Sequence, residues 1–234
     1  MDGMGDAETR GRGTDDDVST TQASTRPESA VDLFNRPDVR SYVDDMIAHG
    51  SFVHQMATGA LPREKYLRYL SQDAYFLFEF NRAYAMALAK AETVEEQAAY
   101  HELIGGVLDE LKLHRGACER WGVDLDATTI DPAAEAYVSF LRSLHSRSRT
   151  ELVAGMVPCM RLYAQLGRRF LQDEESIDVR QSPYFEWFEA YGGSEMESLA
   201  RRLESLLPPV VDDASAAAYV HAMRLERDFF AAHA

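Results

Sequence analysis

A cysteine inside a helical stretch that also contains a proline is the first place where chemistry could reside. Residues 157–167 read VPCMRLYAQLG. Cys159 and Tyr163 stand four apart, so on a helix they share a face and can touch. A phenol beside a thiol can donate to a thiolate and hold it in place. Pro158 cannot donate a helical hydrogen bond, and it is expected to bend the chain and aim the thiol. Asp73 is the second unusual residue. It follows Gln72 and sits among Tyr69, Leu70, Phe76 and Leu77. A carboxylate in such a helix is costly unless it is paired or used. Glu226, in HAMRLERDFFAAHA, is the third. Each has an ordinary alternative: an arginine partner for Asp73, a small core cysteine beside a core tyrosine, a surface glutamate. Tyr137, Trp187 and Tyr191 are core aromatics by default.

Other chemistries lack their patterns. Glu110 and His114 are four apart, and no Glu-x-x-His of a di-iron bundle occurs. His101-Glu102 lacks the second histidine of a zinc motif. Gly-x-Gly-x-x-Gly, a Walker loop and Gly-x-Ser-x-Gly are missing too. The expectation is therefore no metal and no cofactor. Cys118 and Cys159 are the two cysteines, and free thiols are expected.

The elements that must position these residues read as helices almost throughout. Tyr42, Val43, Met46 and Ile47 share a face. SFVHQMATGALP is a short helix ending at Gly59, and Pro62 suits the first turn of the next. That next helix, PREKYLRYLSQDAYFLFEFNRAYAMALAKA, is apolar nearly all round in its middle, Tyr75 and Phe78 included, and belongs at the centre of a bundle. Thr93 and Glu96 form a capping box for a helix that ends before Gly122. Pro132 opens another, and Thr150 or a neighbour opens the helix of Cys159. SPYFEWFEAYGG, SEMESLARRLESLL and a helix from about Asp213 follow. No stretch alternates with period two, so the fold class is an all-α bundle of about seven to nine helices in a single domain, residues 29–234.

Residues 1–28 contain no Leu, Ile, Phe, Tyr or Trp, and read as a disordered acidic tail. The net charge is −15, from 39 acidic and 24 basic residues, only three of them lysine. Such a surface repels phosphate backbones, so no nucleic-acid partner is expected. It also suits a salt-loaded, halophilic cytoplasm. No apolar run is long enough to span a membrane, and no secretion signal is visible, so a cytoplasmic location without membrane contact is the expectation.

Four blocks, in order, resemble the TenA family, also called thiaminase II or aminopyrimidine aminohydrolase. FVHQMATGALPREKYLRYLSQDAYFL resembles the family's early block, with its GTLP turn and QD pair. MVPCMRLYAQLG resembles LLPCYWLYAEIG, SPYFEWFEAYGG resembles YxxWIxxYxG, and RLERDFF resembles YEYxFW. Roughly residues 40–232 are covered. The resemblance implies a haem-oxygenase-like helical bundle, a homotetramer, and cofactor-free hydrolysis at the methylene carbon on C5 of a 4-amino-2-methylpyrimidine. The leaving group is an amine in salvage of degraded thiamin, or the thiazolium of thiamin itself. It makes Cys159 the nucleophile that adds to the ring. Glu226 manages the proton of a ring nitrogen, and Asp73 binds the amino group and the adjacent nitrogen. Tyr137, Tyr163 and Tyr191 line the pocket. Phe76 stands where many members have a tyrosine, Arg161 and Met160 replace the tryptophan and tyrosine of PCYWLY, and Phe230 replaces the last tryptophan. Two other readings stay open: a regulatory or ligand-binding member, and an oxidase on the same bundle.

Overall fold

A computed structural model of the chain describes residues 28–122, 129–172 and 176–234. In order these form α1 (Ala30–Phe34), α2 (Pro37–Ile47), α3 (Phe52–Ala57), α4 (Arg63–Ala89), α5 (Val94–Trp121), α6 (Pro132–Leu144), α7 (Arg149–Gln172), a 3-10 turn (Val179–Gln181), α8 (Phe185–Gly192), α9 (Ser194–Glu204) and α10 (Asp213–Ala231). No strand occurs among the described residues, only one isolated bridge between Glu28 and Val211. The short α1, capped reciprocally by Ser29 and Asp32, is the element the sequence patterns do not signal. Residues 1–27 of the expected tail lie outside the described residues. Glu28 is placed: its carbonyl accepts from Val211 N at 3.0 Å, and its carboxylate meets Arg36 at 3.4 Å.

Local chemistry sets the helix ends. Gly59 turns the chain between α3 and α4 at φ 72°, a conformation that costs glycine little. Thr93 accepts from Glu96 N at 3.1 Å, but the Glu96 carboxylate reaches Glu92 N at 2.8 Å instead of the backbone of Thr93. The expected capping box is thus displaced by one residue on its return bond. Gly122 closes α5 in the left-handed region. Asp131 caps α6 through Ala134 N at 2.9 Å. Ser148 and Glu151 cap the start of α7 reciprocally, each bond 3.1 Å.

The core is one cluster fed by nearly every helix. α4 carries the densest buried face, with Tyr69, Phe76, Phe80 and Tyr84 all inside. It is not buried all round: Phe78 is 51% exposed and lies under the Arg82 guanidinium at 4.6 Å, and Tyr75 is half-buried. The amphipathic solution wins because one side of α4 meets solvent rather than another helix. α7 is the other axis, packing on α10, α8 and α9. It runs unbroken through Pro158, so Cys159 and Tyr163 lie on one continuous face. Where α7 meets α8, two glycines touch. A Cβ on Gly167 would stand 2.3 Å from Gly192 N and 2.6 Å from the Tyr191 carbonyl carbon. Only a bare backbone allows this approach, and it brings Tyr191 against Tyr163, with ring centroids 4.9 Å apart.

Candidate active site

Four helices deliver the three residues first singled out and a fourth group beside them. α7 brings Cys159, α10 brings Glu226, α4 brings Asp73, and α5 brings Glu110 and His114. Cys159, Glu226 and Asp73 are 6%, 1% and 2% exposed. Cys159 and Glu226 lie close enough that each shifts the other's proton affinity. The Tyr137 hydroxyl, from α6, donates to Glu226 Oε1 at 2.7 Å. The Tyr163 hydroxyl meets that of Tyr69 at 3.4 Å. Trp187 Nε1 donates to the same Tyr69 oxygen at 3.1 Å.

Among the described residues Asp73 pairs with no arginine. Its Oδ2 lies 3.5 Å from His114 Nδ1, longer than a normal hydrogen bond, and both atoms are buried without a hydrogen-bond partner. His114 Nε2 lies 3.5 Å from the Tyr191 hydroxyl, which bonds to Glu110 Oε1. Ligand atoms of Asp73, Glu110 and His114 all lie within 4.8 Å of one another. A nitrogen and two carboxylate oxygens at that spacing could hold a divalent cation, or the polar edge of an organic ligand.

The electrostatics follow from burial. Burial raises Glu226 to about 8, against the lowering effect of its bonds from Tyr137 and Cys159. Burial raises Glu110 to about 7, with the Tyr191 bond opposing. Asp73 is pushed well above its ordinary value by burial, then by Glu110 and Glu226. His114 falls to about 4 by burial, so it is a neutral imidazole at pH 7. The Cys159 thiol is driven well up by burial, then by the negative charges of Glu226, Glu110 and Asp73. The resting sulfur is thus a thiol, not a thiolate, and it must lose its proton as it attacks.

Aromatic residues pack around these groups. Phe76 packs its ring on Tyr137 at 4.5 Å and on Phe80 at 5.3 Å. Tyr163 touches Trp187, Tyr191 and Phe230. Arg161 points to α9, where it binds Glu204 through two 2.6 Å bonds and Glu197 at 2.8 Å. It forms an ion-pair lock between α7 and α9 and points away from the thiol. All seven site residues singled out in the sequence are buried. The patterns missed Glu110 and His114. Their signal was the four-residue spacing on one helix, weighed only as a metal motif and not as a pair facing Asp73.

The site is a thiol and carboxyl groups enclosed by aromatic rings in a helical bundle, the layout of an enzyme acting on a small planar molecule. Residues 36–232 match the model of the TENA/THI-4/PQQC family, and the chain belongs to that family. An uncharacterized protein of Haemophilus influenzae is 30% identical over 170 residues, 71% of this chain and 78% of that protein. The aminopyrimidine aminohydrolase of Halalkalibacterium halodurans is 27% identical over 162 residues, 67% of this chain and 71% of that enzyme. The bifunctional TH2 protein of Arabidopsis thaliana is 28% identical over 78% of this chain, which spans 34% of that longer protein. Among solved structures, a TenA family transcription regulator from Silicibacter superposes with a TM-score of 0.72 at 28% identity, covering 85% of this chain and 92% of that one. A TenA homologue from Pyrococcus furiosus superposes at 0.76 with 20% identity, covering 86% and 98%. The fold is the haem-oxygenase-like helical bundle. No helix among the described residues is long and apolar enough to cross a membrane.

Proposed function

We propose that the chain is a hydrolase of thiamin salvage that converts 4-amino-5-aminomethyl-2-methylpyrimidine and water to the 5-hydroxymethyl compound and ammonia. The observation that carries this reading is the burial of the Cys159 thiol together with Glu226, a carboxyl group held by the Tyr137 hydroxyl at 2.7 Å. The name of the Halalkalibacterium relative supports the same substrate class.

An aminopyrimidine is electron-rich, and sulfur adds to it only if a ring nitrogen gains a proton as the bond forms. Glu226, raised to about 8, carries a proton at pH 7. It gives that proton to the ring nitrogen while the thiol passes its own to the carboxyl group beside it. The sulfur–carbon bond forms, and the proton count at Glu226 is unchanged. Electron density from the ring then expels the amine from the exocyclic carbon. The ammonium group leaves as ammonia, water adds in its place and passes one proton to that ammonia, the ring nitrogen returns its proton through Glu226 to the departing sulfur, and aromaticity is restored. Asp73, with an unpartnered buried oxygen, receives the pyrimidine's amino group. Tyr163, Tyr191 and Phe76 supply ring faces. Thiamin is a second substrate on this reading, with thiazole as the leaving group. The protein acts in the cytoplasm as a homotetramer.

Incubation with the aminomethylpyrimidine should yield the hydroxymethylpyrimidine. Cys159→Ser should lower kcat/KM by on the order of 10²-fold or more, while Cys118→Ser changes little. Wild-type turnover by a normally folded Cys159→Ser protein would sink the assignment.

A further inference from the structure

The site holds more acidic groups than the hydrolysis above uses. Asp73, Glu110 and Glu226 converge on one buried thiol, and Glu110 has no part in the proton transfers. Among the described residues no arginine or lysine pairs with any of the three. The one basic side chain in contact, His114, is uncharged at neutral pH. Buried carboxyl groups elsewhere in this chain are treated differently: Glu79 has Arg82 and Arg142 at 3.0 Å each, and Asp131 has His233 at 3.1 Å. Two polar atoms in the cluster, Asp73 Oδ2 and His114 Nδ1, are buried with no hydrogen-bond partner. With no counter-charge these carboxyl groups are held toward their protonated forms, and a ligand that brings positive charge and donors favours their ionised forms.

We propose that Glu110 is a specificity-determining residue that selects substrates whose C5 substituent carries positive charge, holding the ammonium group of the aminomethylpyrimidine before it departs. The assignment rests on the function proposed above and deepens it.

Three features of the geometry support Glu110 in this role. As a residue Glu110 is half-buried, whereas Asp73 and Glu226 are buried. Its Oε1 is fixed by the Tyr191 hydroxyl, and Tyr191 is set by the glycine contact between α7 and α8. Tyr191 is the one hydrogen-bond partner of this carboxyl group among the described residues. One carboxylate oxygen of Glu110 also lies within 4.8 Å of one on Asp73, the residue assigned to the pyrimidine's amino edge. That is the distance scale between neighbouring substituents on one ring, so a C5 methylene group can place an ammonium beside Glu110 while the 4-amino group meets Asp73. The same charge preference drives turnover forward. The substrate is cationic and the hydroxymethyl product is neutral, so the attraction that gathers the substrate is absent for the product.

The test measures binding by calorimetry in a Cys159→Ala background, where neither ligand is consumed. The ligands are the aminomethylpyrimidine, a cation, and the hydroxymethylpyrimidine, a neutral molecule of the same shape. The parent should bind the cation more tightly. Glu110→Gln keeps the shape and still accepts from Tyr191, yet it should weaken the cation roughly thirtyfold or more, in the range for removing one member of a buried charge pair. The neutral ligand should change by less than about threefold, as expected when no charge is lost from its contacts. Glu110→Asp, which retains the charge, should preserve the preference. Parallel weakening of both ligands would show a merely structural residue and overturn the assignment, as would no change in either. A parent that binds both ligands equally sinks the charge selection alone. A parent that binds neither sinks the proposed function, and this inference with it.

Discussion

Glu226→Gln should produce a protein that is less active and, above neutral pH, more stable. An ordinary glutamate titrates at 4.5, and burial raises Glu226 to about 8. Between those values the folded protein holds a proton that the unfolded chain has already released. The unfolded state binds fewer protons there, so stability falls as pH rises from about 4.5 through about 8. That interval, at about 1.36 kcal/mol per pH unit, sets a ceiling of about 4–5 kcal/mol of destabilisation from this one group. Local rearrangement and water entry reduce the ceiling, and about 2 kcal/mol is a reasonable expectation at pH 8. Glutamine removes the titration but keeps the oxygen that accepts from Tyr137 at 2.7 Å. The variant should therefore match the wild type within about 1 kcal/mol near pH 5, since one neutral hydrogen-bonded group replaces another. It should exceed the wild type by about 2 kcal/mol at pH 8, where only the wild type must ionise or hold its proton at a cost. Urea unfolding at the two pH values gives both differences directly. Asp73 and Glu110 titrate in the same direction in both proteins and largely cancel. Equal destabilisation of the variant at pH 5 and pH 8 would show that Glu226 is not a buried acid of raised pKa, and the proton relay assigned to it would fall.

Two further outcomes follow from other parts of the molecule. Gly167→Ala places a methyl group 2.3 Å from Gly192 N; it should cost about 2–3 kcal/mol through overpacking against backbone, and lower activity by displacing Tyr191, with a near-wild-type melting temperature counting against the close α7–α8 contact. Raising salt from low to molar concentration should raise the melting temperature, because a net charge of −15 repels itself and salt screens it; a flat or falling midpoint would show that the charge is already offset locally by ion pairs such as those of Arg161.

The helical architecture was legible because apolar periodicity and end signals agree along most of the chain. Ser51, Thr93, Asp131 and Asp212 each cap the helix that follows them. The short α1 was not, since five residues carry too few turns for a period to show. The apolar run in α4 overstated its burial: Phe78 is as apolar as Phe76, and only packing decides which of them faces solvent. For the site, single residues that defy their surroundings were the signal. Asp73, Cys159 and Glu226 stood out that way, and the order of four motif blocks joined them. Glu110 did not stand out, because α5 is rich in acidic residues and an acid there is ordinary. Nothing local in DELKLH distinguishes Glu110, with its bond to Tyr191, from Asp109, which is exposed and paired with Lys112 at 2.8 Å. The difference is made by α8, more than seventy residues away in the sequence.

The same separation explains why Tyr191 matters more than its own chemistry suggests. Its hydroxyl joins Glu110 and approaches His114 Nε2, while its ring packs edge-on against Tyr163. Tyr163 in turn shares a helix face with Cys159. A displacement of α8 would therefore reach the acidic cluster through the hydroxyl and the nucleophile's helix through the ring. The two glycines that let α8 approach α7 fix both contacts at once. This places a requirement on the backbone, not on a side chain that could be substituted for another of like kind. Glycine at 167 and 192 is thus part of how the site is built, although neither residue can touch a substrate through a side chain.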